Sequence, residues 1–206
     1  HPQEIFRECS VWAEMVTDAS QMPRMLETAM RAAIQERGVA VLVVPGDVAQ
    51  TEAADERVTV VERARARVVP AADQLERAAQ LLGGSRRTTL LVGAGAAGAK
   101  ADVLALADML AAPVVHTLRS KQEIEGDNPF DVGLTGLLGF ASGYRAMDEA
   151  DTVLMLGTDF PYRQFYPQDA TYIQVDLRGE HLGRRVPLDL GLVGDVGDTV
   201  RALLPL

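Results

Sequence analysis

Residues Thr88–Lys100 read TTLLVGAGAAGAK. A short apolar run, Thr89-Leu90-Leu91-Val92, enters Gly93, Gly95 and Gly98 in G-x-G-x-x-G spacing, with small helix-forming residues behind it. A strand that passes through glycines into a helix is the context in which this motif holds a dinucleotide, because backbone amides can approach a pyrophosphate there. The same glycines also suit a tight strand-to-helix turn with no ligand, and the motif alone leaves the two readings level. A nicotinamide-binding unit further needs an acid about 20 positions on, at the end of the next strand, to hold the ribose. Here that strand, Pro113-Val114-Val115-His116-Thr117, runs into Leu118-Arg119 without one, which disfavours conventional NAD binding.

Outward from this stretch, helical and strand patterns alternate. Helix is predicted at Ala72–Leu82, with Leu75, Ala78, Ala79 and Leu82 in phase, at about Ala97–Leu110, and near Thr199–Leu203. Strands are predicted at Thr88–Val92, Pro113–Thr117, Thr152–Leu156, Thr171–Asp176 and Leu190–Val193. The fold class is therefore α/β, a doubly wound, mostly parallel sheet with flanking helices, whose ligands sit beyond the carboxyl ends of the strands. A truncated α/β segment precedes it. There, a helix at Gln21–Arg37, capped by Ser20 and ended by Gly38, carries Met22, Met25, Leu26, Ala29, Met30, Ala33 and Ile34 as a core stripe. The run Val39–Val44 after it reads as a strand buried on both faces. Residues 49–70 read as a linker, with Glu62–Arg67 a solvated charge run, giving units of 1–48 and 71–206.

Composition narrows the function. The chain has 206 residues, 48% hydrophobic, with a net charge of -9, which suits a globular protein and disfavours a nucleic-acid partner. Cys9 is the lone cysteine, so no intramolecular disulfide or cysteine-built metal site is expected, and the usage suits a reducing cytoplasm. No apolar run approaches the roughly 18 residues that cross a bilayer. The start at His1, within a polar segment, reads as a cut from a longer protein. The histidines, His1, His116 and His181, are scattered, so a metal site or histidine triad is not expected, and His116 reads as a satisfied core residue.

Three further segments carry chemistry. Gly157-Thr158-Asp159-Phe160-Pro161-Tyr162-Arg163-Gln164-Phe165-Tyr166 packs four aromatics into seven residues, a surface for a flat ring with Arg163 toward a phosphate, or else a hydrophobic domain contact. Asp176 ends a strand, where a carboxylate either accepts bonds from a ribose or caps the next turn. Asn128–Phe140 spaces Gly133, Gly136 and Gly139 three apart, allowing close backbone approach.

In order, VVPGDV, LLVGAGAAGAK, HTLRSK, NPFDVGLTGLLGF, GTDFPYRQFYP, IQVD and VGDV resemble thiamine-diphosphate-dependent enzymes, with the closest likeness to the pyruvate dehydrogenase (quinone) or pyruvate oxidase family. The resemblance covers nearly the whole chain. It implies that residues 1–48 are the end of a pyrimidine-binding domain and 71–206 a central FAD-binding domain. FAD contacts would fall to Gly93, Ala94 and Gly95; to Thr135, Gly136, Leu137 and Leu138; to Thr158, Asp159, Phe160, Pro161, Tyr162 and Arg163; and to Asp176 and Asp195. It implies oxidative decarboxylation of pyruvate to acetate and carbon dioxide by a longer parent that uses thiamine diphosphate and Mg2+, with electrons passing to FAD and then to quinone. Such parents are tetramers that touch the inner face of the membrane through a carboxyl-terminal segment outside this chain. The fragment itself is expected to be silent, with no catalytic residue of its own. In related acetolactate synthases, the segment equivalent to GTDFPYR reads more like GARFDDR, which makes a synthase the second reading. A structural or nucleotide-holding domain without redox flavin is the third.

Overall fold

The computed structural model describes residues 1–52, 60–62 and 66–206, so part of the predicted linker and of the Glu62–Arg67 charge run lies outside the described residues. The chain divides into two compact units, His1–Ala66 and Arg67–Leu206.

The first unit contains α1 (Pro2–Phe6), β1 (Trp12–Met15), α2 (Met22–Glu36), β2 (Ala40–Val43) and α3 (Gly46–Ala49), with β1 and β2 paired in parallel. Several expectations change here. Ser20 sits in a short turn whose cap is Asp18, accepting from the Ser20 amide at 2.9 Å, and Gln21 takes the helix N-cap position. Arg37, at φ +51°, supplies the left-handed turn at the end of α2, not Gly38. The stripe on α2 is not a finished core: Ala29 is buried, while Leu26 and Met30 are exposed. All four residues of β2 are only half-buried. A two-stranded sheet is too narrow to cover either surface.

The second unit contains α4 (Ala72–Gly83), β3 (Thr88–Val92), α5 (Lys100–Leu110), β4 (Val114–His116), α6 (Lys121–Ile124), β5 (Asp131–Leu134), α7 (Ala141–Asp148), β6 (Thr152–Leu156), β7 (Thr171–Asp176), β8 (Leu190–Val193) and α8 (Val196–Leu203). Its six strands are parallel, in the order β5-β4-β3-β6-β7-β8. Strand alternation sorts the core into two layers. Leu90 and Val92 pack with Val103, Leu106, Val114, Ile173 and Val200, on the side that carries α5 and α8. Leu91 packs with Val115, Met147, Val153, Met155 and Tyr172 on the other. Every residue of β3 and β6 is buried, as continuous apolar runs in a parallel sheet require. Residues 67–70 pack on this unit too: Val68 O accepts from the Asp195 amide at 2.8 Å. Among the described residues no helix is long and apolar enough to cross a membrane.

The amino edge of the sheet is fixed by one carboxylate. Asp151 accepts from Ser85 Oγ at 2.6 Å and from the Arg86 and Arg87 amides at 3.1 and 3.2 Å, tying the start of β6 to the start of β3. The Ser85 hydroxyl first, then these amides, hold its carboxyl below the usual carboxylate range. A lowered folded pKa contributes stability above the unfolded value of about 3.9, and that contribution is lost as pH falls through the folded value. Asp151→Ala is expected to cost about 1 kcal/mol at pH 7, since the carboxylate is only partly buried. Its urea midpoint should converge on that of the unsubstituted chain at acid pH.

Candidate functional site

Because the six strands run parallel, all their carboxyl ends lie along one edge. From β3 the chain winds through β4 and β5 to one side, then crosses to β6, β7 and β8 on the other. The switch point lies between β3 and β6, where open α/β sheets form their ligand crevice.

The opening glycines stand at that point, and their first partner is the protein itself. The Gly93 amide donates to Leu156 O and the Gly95 amide to Gly157 O, both at 2.9 Å. A Cβ on Gly93 would stand 2.5 Å from Gly157 O, and one on Gly95 would stand 2.7 Å from Gly157 Cα. The glycines therefore let two strand-end loops meet backbone to backbone. The Ala96 and Ala97 amides turn back to Gly93 O and Ala94 O, which leaves Ala94 as the amide of this turn without a partner among the described residues. The helix also begins later than the predicted Ala97: a short turn at Ala94–Ala96 and Gly98, at φ +80°, precede Lys100. The glycines do not open the helix, so its N-terminal amides are set back from them.

The other predicted residues gather along the same edge. Thr135 and Gly136 follow β5 directly, and Gly136 takes φ +100° with the Phe160 ring where a Cβ would be. This brings the 135–138 loop against the 158–163 loop. Amide bonds from Gly139 to Gly136 O and from Phe140 to Leu134 O, both 2.9 Å, close the turn and leave Leu137 and Leu138 at its tip, 67% and 68% exposed. Thr135 is buried, and its Oγ1 has no hydrogen-bond partner among the described residues.

The aromatic loop divides its work. Phe160 and Tyr166 are buried in the second core layer, and Tyr166 donates its hydroxyl to Phe160 O at 2.9 Å. Tyr162 stands edge-on to Phe160 at 5.4 Å and remains 38% exposed, with Pro161 and Arg163 also exposed. Half of the aromatic surface read from the sequence thus belongs to the core. Thr158 is buried, while Asp159 is held by Arg184 at 3.0 Å and by Arg185 at 2.7 and 3.0 Å.

Two acids serve local structure. Asp176 Oδ1 accepts from the Arg178 amide at 2.9 Å, the turn-capping role open to it from sequence, and lies 3.5 Å from His181 Nδ1. Asp195 is the N-cap of α8, accepting from the Asp198 amide at 3.1 Å.

His116, expected to be satisfied, is fully buried at the end of β4, yet its Nε2 has no hydrogen bond among the described residues, although Asp131 Oδ1 lies 3.3 Å away. Arg184, Arg185, Glu125 and Asp131 were not singled out in the sequence. The Arg-Arg pair was visible there, but Glu125 and Asp131 sit in a polar stretch that offers no spacing signal. An open concavity of about 350 Å3, lined by Trp12, Glu14, Met15, Arg24 and Met25, belongs to the first unit and involves none of these residues.

The comparisons agree with this architecture. The uncharacterized 42.6 kDa protein in the isoamylase 3′ region of Pseudomonas amyloderamosa is 55% identical over 207 residues, covering 100% of this chain and 52% of that protein. The sulfoacetaldehyde acetyltransferase of Rhodobacter capsulatus is 31% identical over 97% of this chain and 35% of its own length. The solved thiamine diphosphate-dependent 4-hydroxybenzoylformate decarboxylase of Rhodococcus jostii RHA1 superposes with a TM-score of 0.76 at 24% identity, over 100% of this chain and 41% of that one, a likeness of fold. The chain thus spans about half the length of the first of these relatives and about a third of the second. The sequence model described as "Thiamine pyrophosphate enzyme, central domain" matches residues 75–203, so the chain belongs to the thiamine pyrophosphate enzymes and carries their central domain.

Proposed function

We propose that residues 71–206 hold FAD along the carboxyl edge of the sheet, within a longer thiamine diphosphate- and Mg2+-dependent enzyme that oxidises pyruvate to acetate and carbon dioxide and passes electrons to quinone. The observation that carries the FAD reading is the meeting of the 135–138 and 158–163 loops at the carboxyl edge of the sheet, through Gly136 and Phe160. There Leu137, Leu138 and Tyr162 are exposed beside the buried, unpartnered Thr135 Oγ1.

These residues fit the group. A flavin ring is flat and apolar with polar edges, and Leu137, Leu138 and Tyr162 offer apolar surface while Thr135 Oγ1 offers a hydrogen-bonding group. Among the described residues the Ala94 amide has no partner and can meet a phosphate or ribose oxygen, and the exposed Arg163 makes no ion pair. The Gly93 and Gly95 amides are already bonded to Leu156 O and Gly157 O, which lowers their expected share of binding. Bound FAD would supply two-electron redox chemistry, for which the chain's own residues provide position and exclusion of water. The choice of pyruvate and quinone rests on the resemblance of GTDFPYR, whose Pro161-Tyr162 departs from the acetolactate-synthase pattern.

Titrating the purified chain with FAD should quench flavin fluorescence to saturation with one FAD per chain. A folded chain that leaves the fluorescence unchanged at high FAD defeats the assignment. For the parent, full-length protein supplied with pyruvate and a quinone analogue should form acetate and reduced quinone. Acetolactate as the product would place it with the synthases, and turnover without flavin would favour a structural central domain.

A further inference from the structure

We propose that His116, Glu125 and Asp131 form a divalent-cation site, with Zn2+ the best-matched ion. One ligand atom from each lies within 4.8 Å of the others, the one such group among the described residues. The site stands apart from the flavin reading and does not rest on it.

The second observation is an unmet bonding demand inside this cluster. His116 is 0% exposed, and its Nε2 is buried without a hydrogen-bond partner among the described residues. Asp131 Oδ1 is buried and unpartnered as well, although the two atoms are 3.3 Å apart. An imidazole nitrogen and a carboxylate oxygen facing each other in the interior need something positive between them, since an unsatisfied buried polar group costs about 1–3 kcal/mol. A proton in line would make a hydrogen bond, and the alignment here does not form one. A metal accounts for the spacing better. Two ligands at about 2.0–2.2 Å from a tetrahedral Zn2+ stand about 3.4 Å from each other.

The ligands are held by the fold before any ion arrives. His116 ends β4, which lies between β3 and the edge strand β5. The following turn is fixed by the Thr117 and Ser120 hydroxyls, and Ser120 Oγ donates to Val92 O at 2.8 Å, which sets the direction of α6 and so of Glu125. Asn128 Oδ1 accepts from the Phe130 amide at 2.9 Å just before Asp131 begins β5. His116 Nδ1 faces Thr117 O at 3.3 Å, leaving Nε2 turned toward the carboxylates. Lys121 is ion-paired with Glu125, so a cation would replace its ammonium at that carboxylate. One imidazole and two carboxylates suit Zn2+ over the harder Mg2+, which favours all-oxygen sites. The site would pin the β4–β5 crossover to the sheet.

The test is Zn2+ binding to the untagged 206-residue chain by calorimetry and metal analysis after dialysis, in a Cys9→Ser background that removes the exposed thiol. One Zn2+ per chain is expected, undisplaced by equimolar Mg2+. Glu125→Gln and His116→Gln should each weaken Zn2+ affinity at least about tenfold, comparable to losses from disturbing a ligand's support. Because His116 is in the core and its variant can misfold, the half-exposed Glu125 decides the matter, with far-UV circular dichroism confirming the fold. No stoichiometric Zn2+, or equal affinity in folded Glu125→Gln, overturns the proposal.

Discussion

Gly157→Ala should lower the stability of the second unit by about 3 kcal/mol, combining left-handed backbone strain of about 1–2 kcal/mol with about 1–3 kcal/mol of overpacking. Gly157 has φ +60°, and an added Cβ would stand 2.6 Å from Gly95 Cα and C and 2.9 Å from Ala96 N. All of these are backbone atoms in a turn held by the Gly95-to-Gly157 hydrogen bond, so no side chain can swing aside. Gly98→Ala separates the two contributions. Gly98 is at φ +80° with nothing within 4 Å of its Cβ position, so only the strain of about 1 kcal/mol remains. Urea unfolding of both variants reads the difference directly. If Gly157→Ala costs no more than Gly98→Ala, the switch point is not closed by backbone contact. In that case the glycines are again available to a ligand.

That contact explains why the opening motif was ambiguous. A G-x-G run marks a place where backbone comes close to something, but it does not say whether that is a phosphate or another loop. The partner, Gly157, lies more than sixty residues on, after β6, and no local pattern links the two.

Strands β3, β6, β7 and β8 were legible to the residue: β3 and β6 are apolar runs buried throughout in a parallel sheet, and β7 and the edge strand β8 are short β-branched or leucine-bearing segments between turn residues. Strand β5 and helix α7 were not. The strand Asp131-Val132-Gly133-Leu134 is interrupted by Gly133 at φ +87°, and α7 contains Ser142 and Gly143, poor helix formers on their own. Gly143 is there because its missing side chain lets α7 lie on Leu134 O, 2.3 Å from where a Cβ would be. Tertiary packing specifies that helix. Strand β1 went unread because Glu14 breaks the short apolar stretch Val11–Val16, leaving neither a continuous run nor a clean alternation. The candidate site shows the same division: its loops follow from strand ends, whereas the Asp159–Arg185 and His116–Asp131 pairings depend on which strands become neighbours.

The double substitution Leu137→Ser/Leu138→Ser should weaken FAD binding about 30-fold while changing unfolding stability by less than about 0.5 kcal/mol. The two effects separate because these leucines are 67% and 68% exposed in the free chain, so the fold gains little from them. A bound ring would cover part of each. At about 1 kcal/mol per partly covered leucine, two give about 2 kcal/mol, or about 30-fold in Kd. Met109→Ser is the control. Met109 is 61% exposed near the end of α5, which runs back from the carboxyl edge, so it sits at the opposite edge of the sheet. Loss of an exposed apolar side chain there should leave FAD affinity unchanged. Equal FAD affinity in the double variant and the unsubstituted chain would remove the apolar tip of the 135–138 loop from the flavin site. Equal weakening in Met109→Ser would mean that the titration reports nonspecific adsorption to apolar surface. Only selective weakening in the double variant ties the flavin to the carboxyl edge, where the β5 and β6 loops meet through Gly136 and Phe160.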